Sequence, residues 1–184
     1  MKASTYLQIA YLISQESKCC SWKVGAVIEK GGRIISTGYN GSPSGGVNCC
    51  DHSEEKGWLK TTSRPNGLTS KPFIGLNTQF REEHSAWAAV NEIHAELNAI
   101  IYAAKNGISI NGATMYVTLS PCPDCAKAIA QSGIKKLVYA ETYDRNKPGW
   151  DKILKDSGIE VIKYEKSNLK MLDWEEITNY CGVS

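Results

Sequence analysis

From residue 94 onward the chain alternates strand-like and helix-like runs, and this alternation restricts the fold more than any other feature of the sequence. A helix from His94 to about Lys105 closes at Asn106-Gly107, and "TMYVTL" then reads as an apolar strand. "CAKAIAQSG" is a helix closed by Gly133, and "KLVYAE" is a strand. "WDKILKDSG" is a helix closed by Gly158, and "EVIKY" is a further strand. Strands joined through helices imply right-handed crossovers and a mostly parallel sheet covered on both faces. Upstream, "KVGAVI" and "RIISTGYN" joined at Gly31-Gly32 form a hairpin, whose antiparallel pair makes the sheet mixed. The flanks are helical: Ser4 is expected to cap a first helix with Tyr6, Ile9, Ala10 and Ile13 on one face, and Asp173 a last one over "DWEEITNYC". At 184 residues the chain suits a single domain. Its one irregular part is an inserted excursion at about 51–83, without steady periodicity apart from a short helix around "SEEKGWL".

Charge narrows the partners. Twenty-one basic against 19 acidic residues give +2, and the nearest thing to a basic cluster is Lys135 and Lys136, which read as a solvated helix end or loop. A chain that grips a polyanion carries a basic stripe, so a nucleic-acid polymer is not favoured. "YLQIAYLI" is short, contains Gln8 and lacks a small-residue cleavage site, and no run approaches the ~20 apolar residues of a membrane span. The reading is therefore cytoplasmic, with no membrane partner. Seven cysteines in such a chain favour thiols and metal ligands over a disulfide framework.

The chemistry gathers at two helix starts. "NEIHAELNAI" places His94 and Glu96 where an apolar helix begins; in mid-helix, positions two apart would point to nearly opposite sides. In the first turn both can reach past the helix end. "SPCPDCAKAI" repeats the placement with Cys122 and Cys125 directly after a strand. Thiolates are stabilised there by the unpaired N–H groups and the partial positive charge of the helix N-terminus. One histidine and two cysteines form a three-ligand zinc set that leaves a fourth position for water, which is the catalytic rather than the structural pattern. Glu96 then fits a general base that takes a proton and later delivers it. His94-Ala95-Glu96 followed by Pro121-Cys122-Pro123-Asp124-Cys125 fits the H-x-E…P-C-x-x-C signature of zinc nucleobase deaminases. A redox CxxC would leave His94 and Glu96 idle, and a zinc ribbon would need a second CxxC, which the sequence lacks.

"VGAVI", "STGYNGSPSGG", "NEIHAELNAI", "MYVTLSPCPDCAKAI" and "GIKKLVYAETYD" together resemble the deoxycytidylate (dCMP) deaminases of the cytidine deaminase superfamily, above all the form carried by T-even-type bacteriophages. The resemblance covers nearly the whole chain outside residues 51–83. It implies an α/β fold of three α/β/α layers around a five-stranded mixed sheet. It also implies zinc-dependent hydrolysis of dCMP to dUMP and ammonia, a step toward thymidylate. By the family pattern His94, Cys122 and Cys125 bind zinc while Glu96 carries protons. Asn40 in "GYNG" resembles the residue that bonds the sugar, and Tyr143 in "ETYD" the one that packs on the substrate from the C-terminal side. Ser42 and the glycines around it could offer N–H groups to a phosphate, and Lys23 a cation; Ala95, inside the signature, completes the substrate-binding set.

Cys19, Cys20, Cys49, Cys50, Cys181, His52 and His84 remain. Two adjacent cysteine pairs with distant histidines could close a second metal site, or the thiols could be buried as small apolar groups. The resemblance implies a structural zinc on Cys19, Cys49, His84 and Glu92. It further implies a homohexamer activated by dCTP and inhibited by dTTP, with Mg²⁺ accompanying the nucleotide effector. Two other readings stay in view: a zinc deaminase acting on a free nucleoside or base such as cytidine or guanine, and a zinc module that binds nucleotides without catalysis.

Overall fold

A computed structural model describes residues 1–62, 73–146 and 148–169. The expected last helix with its Asp173 cap, and Cys181, lie outside these residues. Helix α1 (Ala3–Ser14) is followed by strands β1 (Gly25–Lys30) and β2 (Arg33–Tyr39). Next come α2 (Cys49–Glu55), β3 (Leu59–Thr62), β4 (Phe73–Leu76) and α3 (Arg81–Asn91). The chain continues through α4 (Ala95–Lys105), β5 (Thr114–Leu119), α5 (Pro123–Gln131), β6 (Lys136–Glu141), α6 (Lys152–Asp156) and β7 (Glu160–Lys163).

The main sheet has the order β2-β1-β5-β6-β7. β1 runs antiparallel to both its neighbours, while β5, β6 and β7 run parallel. The mixed five-stranded sheet is thus as expected, with a second antiparallel pair where the hairpin alone promised one. Side chains alternate across it with the two-residue period of a strand. Val27, Tyr116, Val138 and Ala140 face α1, where Tyr6, Leu7 and Ala10 close one core. Ala26, Ile28, Met115, Val117 and Leu137 face the other way, onto Ala95, Ala99, Ala103, Ala126, Ile129 and Leu154 of α4, α5 and α6. This is the three-layer arrangement.

α4 seats closely on β2 because both surfaces are small. Ala95, Ala99 and Ala103 repeat every fourth residue on the buried face of the helix. A Cβ on Gly38 would lie 2.3 Å from the Ala95 carbonyl oxygen and 2.5 Å from the Ala99 nitrogen. Polar clamps fix the seat: Ser36 Oγ donates to the Ala99 carbonyl at 2.6 Å, and Asn98 Nδ2 donates to the Tyr39 carbonyl at 2.9 Å.

Three details differ from the sequence reading. α1 begins at Ala3 after an extended Lys2, without a side-chain cap, so Ser4 lies inside the first turn; N–H groups at an exposed helix end can be served by water. Its buried residues are Tyr6, Leu7, Ala10 and Ser14, with Ile9 and Ile13 at the margin. The described part of the excursion also holds more regular structure than expected. Its short helix starts at Cys49 and ends before Gly57, a β3–β4 hairpin follows, and α3 occupies the stretch before His94. The His52 ring stacks on Trp87 at 4.6 Å and meets Trp58 edge-on at 5.1 Å, joining α2, the hairpin and α3. Among the described residues no helix is long and apolar enough to cross a membrane.

Candidate active site

His94 and Cys122 are both N-cap residues, His94 of α4 and Cys122 of α5. Each has extended backbone (ψ 155° and 167°), so neither obeys helical side-chain spacing, and His94 and Glu96 can serve one cavity. His94 Nδ1 lies 3.4 Å from Cys122 Sγ and 3.4 Å from Cys125 Sγ. The donor atoms of the three residues all lie within 4.8 Å of one another. Zinc bonds of 2.0–2.3 Å in a tetrahedron place ligand atoms roughly 3.3–3.8 Å apart, and both His94–sulfur separations fall in that range.

Electrostatics agree with that use. Cys125 and His94 hydrogen-bond the Cys122 sulfur and, with the Cys125 backbone N–H, pull its thiol down to about 4. Cys125 keeps the shared proton: its bond to Cys122 and its burial push it upward. His94 rises to about 9, chiefly through the Cys122 sulfur. A dication among these groups displaces their protons, since the ligating forms are thiolate and neutral imidazole. Glu96 is only 4% exposed, and burial pushes its carboxyl up to about 7.

A cavity of about 200 Å³ opens onto His94, Cys122 and Glu96, and its wall includes Trp22, Asn40, Ala95, Ser120, Tyr143 and Arg145. The structure thus brings Asn40, Ala95 and Tyr143 to one wall. The Asn40 amide, however, is already engaged: Oδ1 accepts from Val24 N at 2.8 Å and Nδ2 donates to the Trp22 carbonyl at 2.9 Å. One N–H and one lone pair remain for a ligand, so Asn40 shapes the wall as much as it could read a sugar.

Lys23 and Ser42 are not brought to the cavity. Lys23 Nζ donates to the Gln15 carbonyl behind α1, and Ser42 Oγ donates to the Val47 carbonyl, closing its own exposed loop. The "GYNG" turn acts through its backbone, because Gly41 and Ile93 exchange hydrogen bonds of 3.1 and 2.9 Å and so fix the residue before His94. Sequence reading missed Trp22, Ser120, Arg145 and Asn146. Ser120 Oγ accepts from Tyr143 N (2.8 Å) and Asn146 Nδ2 (3.1 Å), and Asn146 Nδ2 also donates to the Pro121 carbonyl (2.8 Å). The only signal for Ser120, Arg145 and Asn146 was their adjacency to the "PCPDC" and "ETYD" segments, while Trp22 lies just ahead of "KVGAVI".

A second donor cluster borders the same cavity. Cys49 Sγ lies 3.1 Å from His84 Nε2 and 3.8 Å from Cys19 Sγ; Cys19 Sγ lies 3.8 Å from His84 Nε2. Glu92 supplies the fourth donor within 4.8 Å. Its Oε1 is buried without a hydrogen-bond partner, and burial raises its carboxyl despite the neighbouring Cys19 thiol and His84. An unpaired buried carboxylate oxygen costs the fold unless something cationic meets it. The donors fit a closed four-ligand site, the pattern of structural zinc. His52 and Cys50 stand outside it: His52 stacks with tryptophan, and Cys50 Sγ donates to the Lys18 carbonyl.

Residues 1–141 match the family described as the cytidine and deoxycytidylate deaminase zinc-binding region. The chain belongs to that family. Within this deaminase family it is 66% identical to the deoxycytidylate deaminase of Enterobacteria phage T4, over 99% of this chain and 100% of that one. It is 64% identical to the phage T2 deoxycytidylate deaminase at the same coverage. Among solved structures it is similar to the dCMP deaminase of cyanophage S-TIM5 in complex with dCMP and dUMP, with a TM-score of 0.62 and 36% identity over 89% of this chain and 99% of that one. The family is a zinc-binding one, and the fold is that of these deaminases.

Proposed function

We propose that the chain hydrolyses dCMP to dUMP and ammonia, with zinc held by His94, Cys122 and Cys125 and with Glu96 carrying protons. The observation that supports this most is a buried carboxylate and a three-donor set at the starts of two neighbouring helices, facing one cavity in a member of the deaminase family. Zinc, when bound, activates water as a nucleophile at neutral pH without redox chemistry. Glu96 accepts one proton of the water whose oxygen adds to cytosine C4, and delivers it to N3. It then moves the remaining hydroxyl proton to the exocyclic nitrogen. The C4–N4 bond breaks, ammonia leaves and the C4 carbonyl remains. Ala95 and Tyr143 border the reacting base, and Asn40 with Trp22 shapes the wall beside it.

The test is a panel of dCMP, deoxycytidine, guanine and single-stranded DNA, followed by ultraviolet absorbance. Only dCMP should turn over efficiently. Chelation should lower that rate at least about 100-fold, with recovery on adding zinc. Equal turnover of deoxycytidine would move the assignment to a nucleoside deaminase, and no turnover of any substrate to a binding module.

The same reading assigns a structural zinc to Cys19, Cys49, His84 and Glu92, supported by the orphaned Glu92 oxygen. Wild-type protein should carry two zinc ions per chain. Cys49→Ala should carry one and melt roughly 10 °C lower, because such a metal contributes directly to folding. A single zinc in the wild type removes this assignment. Assembly as a homohexamer, activation by dCTP, inhibition by dTTP, Mg²⁺ with the effector, and supply of dUMP for thymidylate synthesis in the host cytoplasm complete the proposal. Ile101 and Tyr102, exposed on α4, support a further protein contact.

A further inference from the structure

A nucleotide substrate brings a phosphate dianion that the catalytic groups do not bind. Neither Lys23, expected as its cation, nor Ser42, expected to offer an N–H group, lies on the cavity wall. The charged or titratable histidine, acidic and basic residues on the cavity wall are His84, Glu92, His94, Glu96 and Arg145. Four of them belong to the donor clusters or carry protons, so among the described residues Arg145 is the one permanent cation on that wall.

Arg145 also sits in a turn tied to the residues just ahead of Cys122. The turn over residues 143–146 is closed by Asn146 N donating to the Tyr143 carbonyl at 3.1 Å. Ser120 and Pro121, immediately ahead of Cys122, pin the turn through the three hydrogen bonds to Tyr143 and Asn146. On the far side, Arg145 Nη1 donates to Ser85 Oγ of α3 at 3.1 Å. Among the described residues no carboxylate lies within ion-pair distance of Arg145. The guanidinium thus rests on a neutral hydroxyl at the cavity wall, with most of its five N–H donors open to a ligand.

We infer that Arg145, together with the Ser85 hydroxyl, is the anchor for the 5′-phosphate of the substrate. The planar N–H pairs of a guanidinium match two phosphate oxygens at once. Ser85, accepting from Arg145, keeps its own O–H to donate to a third oxygen. Arg145 touches the substrate without taking part in bond making, so it sets specificity for a nucleotide over a nucleoside. This inference rests on the dCMP reading above.

The test compares wild type, Arg145→Gln and Arg145→Lys in steady-state kinetics on dCMP and deoxycytidine, in calorimetric binding of dUMP, and in thermal melting. Gln keeps a donor for Ser85 but removes the charge. KM for dCMP and Kd for dUMP should rise roughly 10- to 100-fold in the Gln variant. Its kcat on saturating dCMP should stay within about threefold, while kcat/KM for deoxycytidine and the melting temperature hold; Lys should recover part of the affinity. Unchanged dUMP affinity in the Gln variant overturns the inference. So does a proportional loss on deoxycytidine, or a loss of dUMP affinity in Lys23→Gln instead. Failure of the wild type itself to deaminate dCMP would sink the underlying reading, a result distinct from any of these.

Discussion

Glu96→Gln is expected to yield a folded, zinc-loaded protein whose turnover of dCMP is reduced roughly 10²- to 10⁴-fold. The substitution preserves shape but leaves no group that can accept a proton and return it. Zinc content should hold, because Glu96 is not one of the clustered donors. Folding should hold as well: the carboxyl is almost fully buried, and burial already disfavours its charged form, so a neutral amide removes an unfavourable term. Kinetics, metal analysis and melting on one preparation separate the possibilities. Retention of more than about a tenth of the wild-type rate removes Glu96 as the proton carrier. Loss of zinc along with activity makes it a ligand instead.

The second large effect lies away from the chemistry, in Gly38→Ala. A methyl group there would meet the Ala95 carbonyl oxygen at 2.3 Å and the Ala99 nitrogen at 2.5 Å, both backbone atoms that cannot turn aside. Replacing glycine restricts the unfolded chain and by itself stabilises by about 0.4–1 kcal/mol. Overpacking a core typically costs about 1–3 kcal/mol, and obstruction by backbone places this case at or beyond the upper end. The clash therefore wins, and the melting temperature should drop by roughly 5–10 °C. Relief comes from lifting the first turn of α4, which carries Glu96 and adjoins His94, so activity should fall even well below the melting temperature. Gly41→Ala is the control, since a Cβ there meets nothing within 4 Å. Equal melting temperatures for Gly38→Ala and wild type would refute the close seating of α4.

What could be read from the sequence follows from which forces hold each part. The stretch from α4 to β7 is built on apolar periodicity and ends its helices at Gly107, Gly133 and Gly158, all with positive φ, so its order was legible. α3 was not, because "REEHSAWAAVN" carries no apolar stripe and buries only His84. It is held instead by a metal-donor cluster and a ring stack, contacts between sequence-distant residues that no local pattern announces. His94, Cys122, Cys125 and Glu96 were legible because their spacing is itself the chemistry. Lys23 and Ser42 carry no such signal: a cation or a backbone N–H near a motif satisfies many roles, and only the path of the chain shows that neither lies on this wall. Arg145 lies in an ordinary turn sequence and gains meaning only from Ser120 and Asn146 holding that turn against the cavity.

Glu92, Ile93 and His94 join the two donor clusters through extended backbone, with Glu92 at ψ 141° and His94 at ψ 155°. Successive side chains of such a segment alternate sides, so its first and third residues share one, and Glu92 and His94 both line the cavity. The tripeptide therefore works as a ruler of invariant length. Adding or deleting a single residue there would swing one of the two donor side chains to the opposite side, so drift in chain length must be absorbed elsewhere in the molecule.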